Sequence, residues 1–379
     1  MSRVTLGEVC REYKGRAEAA EGLPVVGLEH LSQSDIDLVG CSHEATTFTK
    51  AFRKGHVLFG RRRAYLKKAS LAPFDGVCSG DIIVIEAIEG RLLPRLLPFV
   101  IQNDYLFDFA VENSAGSLSP RVKWKDLSRF EFELPSMEKQ HELADLLWAA
   151  QEAKRAYSRL VSACDEIVKS RFVEMFPPGR YAEKKLGDCL EQVVAGVNVN
   201  GQQRPIQPGE YAVLKISAVT KGYFKSDEYK VIDNPDAVTR MVFPRKGDLL
   251  FSRANTREMV GATAIVDADY DNLFLPDKLW RLDFKPEVLT TYAKSFLQLE
   301  TTRRVLSSLA TGTSGSMYNI SMKKLRGVVM PLPPIGLQEE FAAFVRQVDK
   351  SEFALKQAIE GVSATMAAIL NQELGMSDV

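Results

Sequence analysis

Two short segments of this chain carry side chains suited to gripping a nucleic acid. The first holds Arg61, Arg62, Arg63, Tyr65, Lys67 and Lys68, and the second Arg253, Asn255, Thr256 and Arg257. A guanidinium can meet a guanine edge or a phosphate through two hydrogen bonds, and an asparagine amide matches the edge of adenine. A third segment, Thr311 to Tyr318, is a Gly/Ser loop whose Ser314, Tyr318 and backbone N–H groups could cradle a phosphate. Each has a plainer alternative, a solvated basic face for the first two and a linker for the third. The setting of the first and third favours anion contact. Ala45 to Phe74 contains no acid but holds Lys50, Arg53, Lys54, Arg61, Arg62, Arg63, Lys67 and Lys68. Thr301 to Gln338 also lacks acids and holds Arg303, Arg304, Lys323, Lys324 and Arg326. The chain as a whole is neutral, with 49 bases and 49 acids, so positive charge is segregated into these runs. Two such runs suit a polyanion surface, because phosphate contacts supply most non-specific affinity for nucleic acid.

Other chemistry finds little to build on. The five cysteines (Cys10, Cys41, Cys78, Cys164, Cys189) are scattered and form no CxxC, and the four histidines show no ligand spacing. That pattern predicts no zinc site and no disulfide framework, and fits a reducing cytoplasm. An adenine methyltransferase needs an Asx-Pro-Pro-aromatic motif; Asn234, Pro235 and Asp236 lack the second proline and the aromatic, and Phe176 to Gly179 lacks the Asx. No GxxxxGK[ST] loop is present for nucleotide hydrolysis. Pro276 and Asp277, followed by Asp283 and Lys285, mimic a metal-dependent nuclease at too short a spacing. The chain is therefore expected to be non-catalytic and to bind no cofactor or metal.

The elements that must position the basic segments follow from hydrophobic period. At 379 residues, with 45% hydrophobic and 26% charged, the chain is expected to be soluble and to fold as two or three domains. No apolar run reaches the roughly 18 residues of a membrane span, and the N-terminus lacks a signal-type core. Val77–Ile88, Tyr211–Ile216, Asp248–Phe251 and Gly261–Val266 read as strands, and Leu289–Leu299 and Trp124–Phe130 as helical. Met137 to Phe176 reads as one long helix, started by Pro135 and Ser136 and stopped by Pro177, Pro178 and Gly179. Its apolar residues alternate three- and four-residue steps, the pattern of a coiled-coil seam. The expected fold is α/β (α+β): globular domains over 1–135 and 178–333, and long helices over 136–177 and 334–379.

The two halves say nearly the same thing. Trp124 to Leu127, Glu133 to Pro135 and Gln140 are answered 198 positions later by Met322 to Leu325, Pro331 to Pro333 and Gln338. Leu143, Leu146, Ala150, Tyr157 and Leu160 face Phe341, Phe344, Val348, Leu355 and Ala358, with Cys164 opposite Val362, as the expected seam. Upstream, Leu6 to Glu8 answers Leu186 to Asp188, and Gly55 to Phe59 answers Gly247 to Phe251. A duplicated chain suits a target that also comes in two halves.

The repeated Leu-Pro, Gln and heptad passage, with Gly247 to Thr256, resembles the DNA-specificity subunits of type I restriction–modification systems. The helix starts depart from the usual Glu-Gln, having Lys139 and Leu337 before the Gln. The resemblance spans the chain in layout and implies two target-recognition domains joined by an antiparallel coiled coil. It also implies double-stranded DNA with a bipartite target, two modification (methyltransferase) subunits and restriction subunits as partners. Those partners would supply the S-adenosylmethionine, ATP and Mg²⁺ chemistry. Alternatives are the specificity chain of a related system cutting beside its site, and a helical scaffold that reads no DNA.

Overall fold

The computed structural model describes residues 2–18, 22–238, 240–312 and 317–376. The chain divides into two compact units, residues 1–159 with 355–379 and residues 160–354. The sequence reading had set the helices apart from contiguous domains. Instead each unit takes in part of both long helices, because the helices share hydrophobic cores with the sheets beside them. In the first unit Leu143, Ala144, Leu147, Leu370 and Leu374 join the core of residues 1–135. In the second, Phe172, Phe341 and Val345 join that of 178–333.

The first unit is built on a four-stranded antiparallel sheet in the order Cys10–Glu12, Ile82–Ala87, Val57–Gly60, Ala69–Leu71. The second has the counterpart order Leu190–Ala195, Leu279–Phe284, Leu249–Ser252, Thr263–Ile265, again antiparallel. Each unit adds a parallel pair, Val25–Val26 with Gly76–Cys78 and Ala212–Leu214 with Leu273–Phe274. The third strand of that sheet differs: Lys50–Phe52 pairs with Gly76–Cys78, whereas Tyr229–Val231 pairs with Ala212–Leu214, so it is added on opposite edges. A final antiparallel pair closes each unit, Ser2–Thr5 with Glu131–Leu134 and Glu183–Lys185 with Val329–Pro331. The architecture is mixed helix and strand with mainly antiparallel pairing, the α+β form of the expected class.

Local chemistry explains the repeated residues. Leu6 and Leu186 donate their N–H groups at 2.7 Å to Phe130 and Val328, and the next residue in each case is a glycine. A Cβ on Gly7 would lie 3.1 Å from Ser128, and one on Gly187 2.8 Å from Arg326, so glycine permits the close approach. Gly55 and Gly247 stand at φ of 89° and 90°, in the turns that launch Val57–Gly60 and Leu249–Ser252.

Gln140 and Gln338 do the same work at the two helix starts. The Gln140 carbonyl accepts from Leu93 N–H (2.8 Å) while its amide donates to Pro135 O (3.0 Å). The Gln338 carbonyl accepts from Leu289 N–H (2.9 Å) while its amide donates to Pro333 O (2.9 Å) and Glu287 O (3.0 Å). Both glutamines are fully buried. Gln140→Leu or Gln338→Leu would strand these backbone groups, and each is expected to destabilise the chain by about 1–3 kcal/mol in urea unfolding.

The long helices run Met137–Met175 and Ile335–Glu373. The expected strand Val77–Ile88 is two strands in different sheets, broken by a turn at residues 79–81. The seam also needs correction. Leu143 and Phe341 are buried, and Ala150, Tyr157, Phe344, Val348, Leu355 and Val362 are half-buried, but Leu146 (52% exposed) and Leu160 (51%) face outward. Leu147 and Gln151 are buried instead. The helix start is pinned to the globular core through Gln140, which selects the face at 143, 147 and 151, four residues apart, over the heptad face. The helix Ile335–Glu373 also holds an 18-residue window of mean hydropathy 1.2, enough to cross a membrane by length and composition only, a test that helices of soluble proteins also pass.

Candidate nucleic-acid interface

The two basic segments, the first singled out by its charge run and the second by its Arg and Asn side chains, occupy the same connection in their respective sheets. Arg61 to Lys68 links Val57–Gly60 to Ala69–Leu71, and Arg253 to Arg257 lies between Leu249–Ser252 and Thr263–Ile265. The backbone address is also shared. Arg61 donates its N–H to Asp81 O (2.9 Å) and its carbonyl accepts from Val122 N–H (3.0 Å). Arg253 donates its N–H to Lys278 O (3.0 Å) and its carbonyl accepts from Ile320 N–H (2.8 Å).

Around the first segment, Arg121 arrives from a distant part of the sequence and bonds Asp81 at 2.7 Å. Arg62 stands 3.5 Å from the same carboxylate and donates to Ser119 Oγ at 2.6 Å. The Arg121 hydrogen bond, with the charges of Arg62 and Arg61, holds Asp81 below the usual carboxylate range. Arg63 and Lys67 adopt left-handed backbone conformations (φ 55° and 48°) on either side of a short 3₁₀ turn, Ala64–Leu66. Lys67 bonds Asp104 (2.6 Å) and lies 3.4 Å from Asp108, which raises its pKa, and Lys68 donates to Leu28 O (2.8 Å). Arg62, Lys67 and Lys68, expected as DNA ligands, are thus tied into the protein and shape the loop. Arg63 and the half-exposed Tyr65 remain open to a partner.

The second segment is braced differently. Ala254 and Asn255 pair with Asn319 and Tyr318, which brings Tyr318 beneath Arg257, 5.7 Å from ring centroid to guanidinium. Asn255 Oδ1 accepts from Thr256 N–H at 2.8 Å, and Thr256 and Arg257 are exposed. From the helix Glu300–Leu309, Arg303 donates to Glu258 O (2.7 Å) and Ser307 to Arg257 O (3.1 Å), clamping the loop backbone. Burial lowers the pKa of Arg303. Ser314 lies outside the described residues.

Arg121 and Lys278 were not singled out by the sequence reading, whereas Arg303 was named there only as part of an acid-free run. Shifting Arg121 by the repeat offset places it on Asn319, beside Tyr318, and that correspondence was the available signal. The nuclease-like residues are ordinary: Asp283 accepts from Arg281 and Gln192, Asp277 pairs with Lys278, and Lys285 donates to Asp188 O.

Comparison with known proteins agrees with a nucleic-acid role. Residues 178–361 match the type I restriction modification DNA specificity domain. Over 184 residues the chain is 24% identical to the Escherichia coli type I restriction enzyme EcoEI specificity subunit, covering 48% of this chain and 31% of that one. Over 99 residues it is 30% identical to the E. coli EcoDI specificity subunit, covering 26% and 21%. The matched segments thus span a third or less of these relatives. In fold, the chain resembles the type I restriction–modification S subunit from M. genitalium, with a TM-score of 0.51 at 12% identity, covering 100% of this chain and 96% of that one. A chain from a type I restriction–modification system studied for complex assembly and conformational transition gives 0.51 at 20% identity, covering 97% and 95%. Residues 178–361 of this chain thus resemble the DNA specificity domain of type I restriction–modification systems.

Proposed function

We propose that the chain is a non-catalytic subunit that reads a bipartite double-stranded DNA target, one half by each globular unit. It directs partner methyltransferase and restriction subunits to that target. The observation that carries this reading is the recurrence of a basic loop at one backbone address in both units. The matching strand orders support a pseudo-two-fold duplicated chain. The long helices form an antiparallel coiled coil that sets the spacing between half-sites. In the second unit Phe172 stacks edge-on to Phe341 at 5.3 Å, and Arg171 pairs with Glu340 at 3.2 Å and lies over Phe344. In the first, Lys139 lies 3.6 Å from Glu373. The helices also carry exposed apolar side chains, Leu146, Leu160, Ile167, Val173 and Phe353, which suit docking by two modification subunits. S-adenosylmethionine, ATP and Mg²⁺ belong to the partners, and a cytoplasmic location fits such an assembly.

Retention on DNA should fall steeply with salt, as counterion release requires, and a pure scaffold would give no slope. The chain without partners should transfer no methyl group from labelled S-adenosylmethionine to DNA. Robust transfer by the chain alone would overturn the non-catalytic assignment.

A further inference from the structure

Arg61 and Arg253 share more than an address. In each, Nε is buried with no hydrogen-bond partner, a condition only a few side-chain atoms among the described residues share. Among the described residues neither side chain forms an ion pair or a side-chain hydrogen bond, in loops where neighbouring bases are tied to carboxylates or carbonyls. Both residues are held stiffly, with main-chain N–H and C=O each bonded to a neighbouring segment. Arg253 is steadied further by lying over the Trp280 ring at 5.5 Å. Burial of Nε walls off the side-on face of the guanidinium and leaves its two Nη groups as the end that can meet an acceptor. Ordering a partly buried guanidinium with unmade hydrogen bonds costs free energy even with the Asp81 charge near Arg61 and the Trp280 ring under Arg253, so the arrangement suits a ligand that completes those bonds.

We infer that Arg61 and Arg253 are the matched specificity-determining residues of the two units, each contacting a guanine end-on, with the two Nη groups donating to O6 and N7. The inference rests on the DNA-reading function proposed above. Guanine fits better than phosphate for two reasons. Its major-groove edge offers two acceptors spaced for a guanidinium end, which no other base does. Exposed cations suited to phosphate are supplied separately by Arg63 and Arg257.

The test uses the full chain assembled with its modification subunits, read by methylome sequencing and by binding to DNA variants. Arg61→Lys keeps the charge but loses the paired donors. It should relax one G·C pair in one half-site, cutting discrimination there by about 10- to 100-fold. Arg253→Lys should do the same for one G·C pair in the other half-site, with the remaining positions and the salt slope unchanged. Arg61→Gln and Arg253→Gln, compared by thermal melting, separate lost readout from lost folding. Lysine variants with an unaltered motif would overturn the inference while leaving the DNA-reading function standing. Uniform weakening across all sequences with a shallower salt slope would also overturn it, by making the arginines phosphate ligands. A wild-type assembly without sequence preference would remove the DNA-reading function itself.

Discussion

Exchanging the whole first unit for that of a relative with a different target should transplant one half-site and leave the other intact. The exchange must take residues 1–159 together with 355–379, because the unit is discontinuous. A cut at residue 135 would sever Gln140 from Leu93, Gln151 from Asp35 and Arg155 from Asp37. Leaving the C-terminal segment behind would strand Asn103, whose amide donates to Asn371 at 2.7 Å, and would take Leu370 and Leu374 from the core. The complementary experiment keeps the fold and removes one reader. Replacing Arg253, Asn255 and Arg257 by Ala should relax or abolish recognition of the second unit's half alone, at roughly 1–3 kcal/mol per lost paired base contact. Methylome sequencing reads both results. A chimera that folds and assembles yet changes both halves together would sink the two-reader scheme.

These designs rest on parts of the molecule that were unevenly legible in the sequence. The recurring residues were visible as spacing, the first basic loop as part of an acid-free run, and the second as two arginines around an asparagine, because all are local properties of the chain. The function of the repeated Gln was not visible, since Leu93 and Leu289 lie 47 and 49 residues from their partners. Arg121 and Lys278 reach the loops only through tertiary folding and carry no local signature. Ile82 to Ile85 was correctly apolar, but periodicity could not detect the turn that sends Gly76–Cys78 into another sheet. The seam failed for a related reason. A heptad count assumes that a helix faces only its partner, whereas the start of this one is bonded and packed against a globular core.

That competition between partner helix and core decides how the spacing role should be tested. Four residues inserted after Arg159, with four more after Ala354, fall where the chain passes between its units. They add about one turn, roughly 6 Å, to each helix. An insertion after Ala150 would instead displace Gln151, Lys154 and Arg155, which hold Asp35 and Asp37 of the first unit. Lengthening both helices would keep the proposed antiparallel pair in step, whereas lengthening one would shear it. If the helices set the spacing, both half-site sequences should survive and the spacer between them should lengthen by roughly one or two base pairs, at about 3.4 Å each. A complex that still assembles and methylates with an unchanged spacer would remove the helices from that role. The spacing would then have to come from the partner subunits.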